Sequence, residues 1–481
     1  MMQRSVRNGS LAGALAVSLL GLAVSPALAQ AGRGDKERQQ QAQILDSFGG
    51  AFAGPQQAYV ARIGEKMAVA AGMGGRCTFT LVNSEVINAF AAPPGCYVYV
   101  TRGLLSILNS EAELAGVLGH EVGHVTAKHA TRQRNTQVLS GLAAVLVGAV
   151  TKSDQLGQIA GQAAQLGVLS YSRGQEYESD SLAVKYLPAA GYPSTGISRA
   201  LAALQRQDEY AARAAGAMGG KAIPVWARTH PLTGDRIARA GKAAAAGAVP
   251  TGVQPPTEAA FLAAVDGLVY GDDPAQGFVR GSAFAHPGLR IAFDAPRGFN
   301  LSNGPSAVGI NGPNGLRGQF SRGRLNGPIE DYAAAVLRAT LGQSAANIGQ
   351  TRRTTIGGLE AAMVSARASS SNQAVDVSVV AYNLGGDAAY HFVTMAPAGQ
   401  GPMFDTMYAS FRRLTDAEAA QYLPRKIEVV TVRSDDTSET LSARMAGDSG
   451  KLELFQMLNA IRPGEALAPG RKVKLVTEPR R

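Results

Sequence analysis

Several absences narrow the possibilities before any motif is read. Lysine and arginine never cluster with interleaved aromatics, which excludes a nucleic-acid-binding surface. The formal charge of +10 falls to +8 when Arg4 and Arg7 are set aside, an excess in keeping with solubility or attraction to an anionic envelope. No segment recurs with a period of about 20 to 50 residues, so no helical-repeat array is present. Beyond the N-terminal segment 1–29, the longest apolar run extends from Leu139 to Val150. That falls short of the roughly 20 residues a spanning helix needs, and it reads as a buried hairpin or as a surface in peripheral contact with lipid or substrate. Charged residues make up only 17% of the chain against 46% hydrophobic, a globular rather than disordered balance, and 57 glycines predict many turns. At 481 residues the chain exceeds one compact core, and several domains are expected.

Segment 1–29 divides into a basic start (Arg4, Arg7), an apolar stretch from Leu11 to Val24, and Ser25-Pro26-Ala27-Leu28-Ala29. That order is the pattern of a secretory signal cut after Ala29. No cysteine stands at the cut, so a lipid anchor is not expected, and the mature chain is expected in an exported compartment such as the periplasm. The two cysteines, Cys77 and Cys96, each open an alternating apolar segment. If those segments are neighbouring strands an exported setting permits a disulfide; two buried thiols are the alternative.

Residues 30–43 are polar and Gln-rich and predict a disordered lead-in. A catalytic region is expected over 44–249. Within it helical spacing runs from Gln56 to Ala71, two strands cover Cys77 to Val82 and Cys96 to Val100, and further helices cover Glu111 to Arg132, Gly174 to Leu187 and Thr195 to Ala215. A linker follows over 250–285, with Pro250 to Pro256 as its Pro/Gly/Thr part. Residues 286–415 mix strands (Arg290 to Asp294, Gly318 to Ser321, Val375 to Tyr382, Ala389 to Met395) with helices at Ile329 to Leu341 and Met403 to Leu414, an α+β arrangement. A last small unit spans 425–477.

The chemistry sits in His120-Glu121-Val122-Gly123-His124. Residues four apart on a helix face the same way, so both imidazoles can reach one metal with Glu121 beside it. The chain has only six histidines and spends two here. Zinc needs a third protein ligand and an open position for water. Glu176 and Asp180 share a helix face, so Glu176 can bind the metal while Asp180 orients a ligating imidazole, and Glu178 is expected to point away. Zinc brings the pKa of its water to about 7, and Glu121 can accept the proton as that water attacks a carbonyl. His230 and Arg236 are candidate oxyanion donors, with a histidine capping a surface helix as the alternative for His230. His129 falls about 140° round a continuous helix from His124 and is expected to be an ordinary surface residue. His286 and His391 have no ligand-spaced neighbours and receive no role.

With Asn88-Ala89-Phe90, Thr101-Arg102-Gly103-Leu104-Leu105, Ser172-Arg173 and Thr229-His230-Pro231 added, residues 44–244 resemble the HtpX-like and CAAX-prenyl-protease-like family of gluzincin metallopeptidases, in its soluble exported branch. The resemblance implies a mainly α-helical zincin core with a small β element, one zinc on His120, His124 and Glu176, Glu121 as base and Asp180 behind a ligand. It also implies that the histidine at 230 can approach zinc and restrain activity, which leaves His230 as either switch or oxyanion donor. An extended substrate is implied to pair with the strand near Cys96 to Val100. The soluble relatives often carry helical-repeat tails, which this chain lacks.

Residues 425–477 are similar to a diverged LysM module, with Val429-Val430-Thr431-Val432, Asp436-Thr437, Leu458-Asn459 and Pro469-Gly470 in place and Asp435 where a glycine is usual. Residues 286–415 faintly resemble a Mog1/PsbP-like sandwich. The whole then reads as a multidomain zinc endopeptidase of the cell envelope acting on unfolded or misassembled exported proteins. The alternative is a peptidoglycan-associated assembly factor with secondary proteolysis.

Overall fold

The structure, a computed structural model, describes residues 26–132, 171–217, 226, 230, 234–245, 258–342, 347–370, 373–447 and 449–479. The apolar run Leu139 to Val150 and the Pro250 to Pro256 linker lie outside the described residues. The described residues divide into a unit that ends at Ile44 and a second that begins at Leu45. Helix α1 (Pro26–Ser47), most of it in the first, replaces the expected disordered lead-in. After Pro26 the segment has no further proline and is rich in Ala and Gln, which lose little side-chain freedom in a helix.

In the second unit α2 (Pro55–Ala70) takes its Pro at the first turn, where the missing N–H costs nothing. It buries Val60, Ile63 and Met67. Three short strands follow: β1 (Cys77–Val82), β2 (Ala89–Ala92) and β3 (Cys96–Thr101). Their order is β1-β3-β2, with β1 and β3 parallel, Cys77 in register with Cys96, and the two joined in a disulfide. The strand expected to receive substrate at its edge, Cys96 to Val100, is therefore central, and β2 lies at the edge instead.

Helix α3 (Arg102–Ile107) leads into α4 (Glu111–Thr126), which carries the His-Glu-Val-Gly-His run. Ser110 caps α4 by accepting from the Glu113 N–H. Glu111 is only 3% exposed and is held by Tyr59 Oη at 2.6 Å, Tyr192 Oη at 2.5 Å and Arg62 at 3.1 Å. Burial works against its charge, but these three donors outweigh it and hold the carboxyl below the usual range. Helices α5 (Arg173–Ala189) and α6 (Gly196–Ala217) cross α4 closely. A Cβ at Gly116 would stand 2.5 Å from the Ile197 nitrogen, and one at Gly123 would stand 2.7 Å from Ser179 Oγ. Helix α7 (Gly234–Ala245) completes this layer.

Residues expected to be linker are structured. Helix α8 (Glu258–Val265) buries Phe261, Leu262 and Val265, and β4 (Val269–Tyr270) accepts an Arg102 hydrogen bond of 2.7 Å at the Val269 carbonyl. The middle domain then packs two antiparallel sheets. The smaller joins β5 (Phe278–Arg280), β6 (Ala283–His286) and β7 (Ile291–Asp294) to a two-residue strand at Arg412–Arg413, within the span expected to continue as helix. The larger includes β8 (Asn300–Asn303), β9 (Ala307–Asn311), β10 (Arg317–Arg324), Leu359–Ser370, Gln373–Asn383 and Ala388–Pro397. Strand alternation separates its faces. Val377, Val379 and Ala381 pack on a helix at Ile329–Leu341, while Val380 and Tyr382 join an aromatic core with Phe293, Phe320, Phe392 and Phe411.

The last unit runs strand, helix, helix, strand, with Arg425–Thr431 antiparallel to Lys472–Thr477 and β4 on the far side of Arg425–Thr431. Among the described residues it has no separate core. Ile427, Phe455, Leu458, Val473 and Leu475 belong to the same buried cluster as Val60, Leu104, Leu118 and Phe261. Lys474 is fully buried and donates to the carbonyls of Ser106 and Leu108, each at 2.7 Å, just ahead of α4.

Candidate metal centre

Helix periodicity brings His120 and His124 onto one face, and their Nε2 atoms lie 3.0 Å apart. Glu176, from the first turn of α5, reaches across with Oε2 3.5 Å from His120 Nε2 and Oε1 3.5 Å from His124 Nε2. Helix α5 starts where it does because Ser172 and Gln175 form a reciprocal capping box. His230 closes the group, its Nδ1 3.1 Å from Glu176 Oε1. One ligand atom from each of His120, His124, Glu176 and His230 lies within 4.8 Å of all the others, and all four residues are buried.

The groups behind these four fix their direction. Asp180 Oδ1 lies 2.8 Å from His120 Nδ1, which turns the bare Nε2 inward. Arg236 grips Asp180 with Nε and Nη2 at 2.8 Å each, and its Nη1 lies 2.7 Å from Glu176 Oε2. An arginine so engaged holds the carboxylates in place, and its geometry is not that of a donor aimed at a developing oxyanion. His124 is backed by His129, Nδ1 to Nδ1 at 2.8 Å, and His129 Nε2 lies 3.2 Å from Glu178. Arg132 donates to the same Glu178 oxygen at 2.6 Å.

His129 is thus buried rather than a surface residue, and Glu178, exposed and outside the ligand group, supports it from behind. The reason is local. Helix α4 ends at Thr126, Lys128 takes a left-handed φ of 54°, and 129–132 turn as a new helical segment, so the azimuth of a continuous helix no longer applies. Two aromatics join the site that sequence reasoning missed. Tyr171 stacks on His124 with centroids 3.9 Å apart, and Trp226 stacks on His230 at 4.5 Å. Trp226 is the chain's single tryptophan and stands four residues before His230, the one local hint of that pairing.

Burial raises the Glu121 carboxyl, and among the described residues neither of its oxygens has a side-chain hydrogen-bond partner. His230 Nε2 is 3.7 Å away, and the Ala91 backbone of β2 acts on it as a hydrogen-bond donor that opposes the effect of burial. Burial also works against the charge on Glu176, but His230 and His120 together hold that carboxyl well below the usual range. On His120, burial is outweighed by Asp180 and Glu176, which push it up to about 9; His124 is lowered by burial and by His120. Two inward imidazole lone pairs and a strongly anionic carboxylate converging on one point form a donor set that fits zinc.

The profile of Peptidase family M48 matches residues 55–244. The chain is 29% identical over 171 residues to a beta-barrel assembly-enhancing protease of Yersinia pestis, covering 34% of this chain and 33% of that one. It is 30% identical over 151 residues to the mitochondrial metalloendopeptidase OMA1 of Arabidopsis thaliana, covering 31% and 28% respectively. To a protease HtpX homolog of Campylobacter concisus it is 33% identical over 201 residues, covering 33% and 65%. The chain thus spans about a third of the length of the Yersinia relative.

Proposed function

Because residues 55–244 form a domain of peptidase family M48, we propose that this chain is a zinc-dependent endopeptidase of the cell envelope that cleaves unfolded or misassembled exported proteins. The observation that carries the reading is the convergence of His120, His124 and Glu176 beside a fully buried Glu121. Zinc held by those three residues would supply a Lewis acid and an acidified water.

Glu121, its pKa raised by burial, takes the proton of the attacking water and returns it to the leaving amine. Asp180 and Arg236 hold His120 and Glu176 in position, and His129 does the same for His124. The edge strand β2 is the element that can receive an extended peptide, since Ala91 lies beside Glu121 and main-chain pairing there would bring a carbonyl toward the base. The substrate class rests on likeness to relatives named for enhancing β-barrel assembly, and the periplasmic location on the signal-like segment 1–29. Contact of residues 425–477 with peptidoglycan is tested by binding of the intact protein to purified sacculi.

His230 favours the restrained form of the site. Its ring lies among the ligand atoms and is held by Glu176 and Trp226, so it would compete with a substrate carbonyl for the metal. Wild type and Glu121→Gln should each bind about one zinc, with casein cleavage falling by about 10² to 10⁴ in the variant. His230→Ala should raise cleavage severalfold. A fall of about 10² instead would make His230 an oxyanion donor, and absence of metal from wild type would remove the reading.

A further inference from the structure

The middle domain holds a groove of about 790 Å³, a size that takes a small organic ligand, and it has no part in the peptide-bond chemistry above. Its floor is the domain's aromatic core. Phe284, Ile291, Val308, Phe320 and Tyr390 line it, each no more than 6% exposed. The rings of Phe320 and Tyr390 stack with centroids 6.3 Å apart, so the part of the floor they present is apolar.

The mouth has a different character. Along β10 the two-residue period places Arg322 and Arg324 on the face that carries Phe320, in register with Tyr390 and Ala388. Both arginines are exposed and line the groove, and among the described residues no carboxylate forms an ion pair with either. His286, on the facing wall, adds no charge. Its Nε2 donates to the Ala275 carbonyl at 3.2 Å, its Nδ1 accepts the Leu289 N–H at 3.2 Å, and burial lowers its pKa, with Arg322 adding to the effect. Asp387 is the one acidic residue in the lining, set against two guanidinium groups.

We propose that this groove binds a long-chain monocarboxylate, with the alkyl chain on the aromatic floor and the carboxylate between Arg322 and Arg324. A guanidinium fork matches a carboxylate in two parallel hydrogen bonds. A cationic amphiphile would meet repulsion at the mouth, and a small inorganic anion would leave the apolar floor in water.

The test is calorimetric titration of the intact protein with dodecanoate below its micelle concentration, beside dodecyltrimethylammonium and a peptide ending in phenylalanine with a free carboxylate. Dodecanoate should saturate one site. An Arg322→Gln/Arg324→Gln variant with unchanged circular dichroism should bind it at least ~10-fold more weakly, as should Ser306→Trp, which fills the mouth. Dodecyltrimethylammonium should bind no better to wild type than dodecanoate does to the double variant. Equal binding of the two amphiphiles, or undiminished affinity in the arginine variant, would overturn the proposal. Binding of the peptide but not of dodecanoate would overturn it in favour of polypeptide termini. The readout is independent of proteolysis, so its failure leaves the peptidase reading untouched.

Discussion

A histidine that contacts a metal-ligating histidine through Nδ1 leaves the protons little choice of place. If His124 turns Nε2 to the cluster, its Nδ1–H donates to His129 Nδ1, and His129 must carry its own proton on Nε2, where Glu178 accepts it at 3.2 Å. Arg132 holds Glu178 charged, its carboxyl kept below the usual range by that arginine and by His129. His129→Leu should therefore weaken zinc binding by about 10- to 100-fold in a chelator competition, with Glu178→Gln showing a smaller loss in the same assay. His120, Glu121 and His124 were legible in the sequence because a four-residue spacing inside an uninterrupted helix fixes relative direction. His129 was not, because one left-handed residue at Lys128 resets the angle and nothing in the local spacing announces it. Glu176 and Asp180 were readable for the same reason as the histidines, whereas the role of Arg236 depended on which carboxylates it met.

At the scale of elements, the helix bearing the ligands is held by what is missing from it. Gly116 and Gly123 let α6 and α5 approach the α4 backbone closely enough that Glu176 and Asp180 reach the histidines. Gly116→Ala would set a methyl 2.5 Å from the Ile197 nitrogen, which has no freedom to withdraw. A loss of ~1 to 3 kcal/mol in urea-unfolding stability is expected, and an unchanged midpoint would mean that the two helices can slide apart. Long periodic elements such as Ile329–Leu341 matched their expected bounds because a strong 3.6-residue pattern survives in any context. Strands of two to four residues, among them β2, β4 and β5, carry too little pattern to be seen and form only because a neighbour supplies hydrogen bonds. The expected linker became structure by that route.

Across the whole molecule, residues 425–477 are part of the fold that holds the peptidase helix. Burial pushes the Lys474 ammonium down from 10.5 to about 7. Between those two values the unfolded chain holds a proton that the folded one has released, so this group adds stability as pH rises from 7 and imposes its full cost below 7. Lys474→Met leaves the Ser106 and Leu108 carbonyls without their donor and should cost ~1 to 3 kcal/mol. It should also flatten the rise in urea midpoint between pH 7 and pH 9, and a variant with the wild-type slope would show that Lys474 is not the titrating group. Such surface-to-core continuity has no local signature, since Lys474 in an alternating strand reads as an outward-facing residue.

The contact between Lys474 and Leu108 joins positions 366 residues apart. Every residue proposed for the cleavage lies at or before position 236, yet the carbonyls just ahead of the catalytic helix are satisfied by a lysine near the far end of the sequence. A chain cut short before residue 472 would therefore keep the full set of candidate ligands and lose one of the supports beneath them.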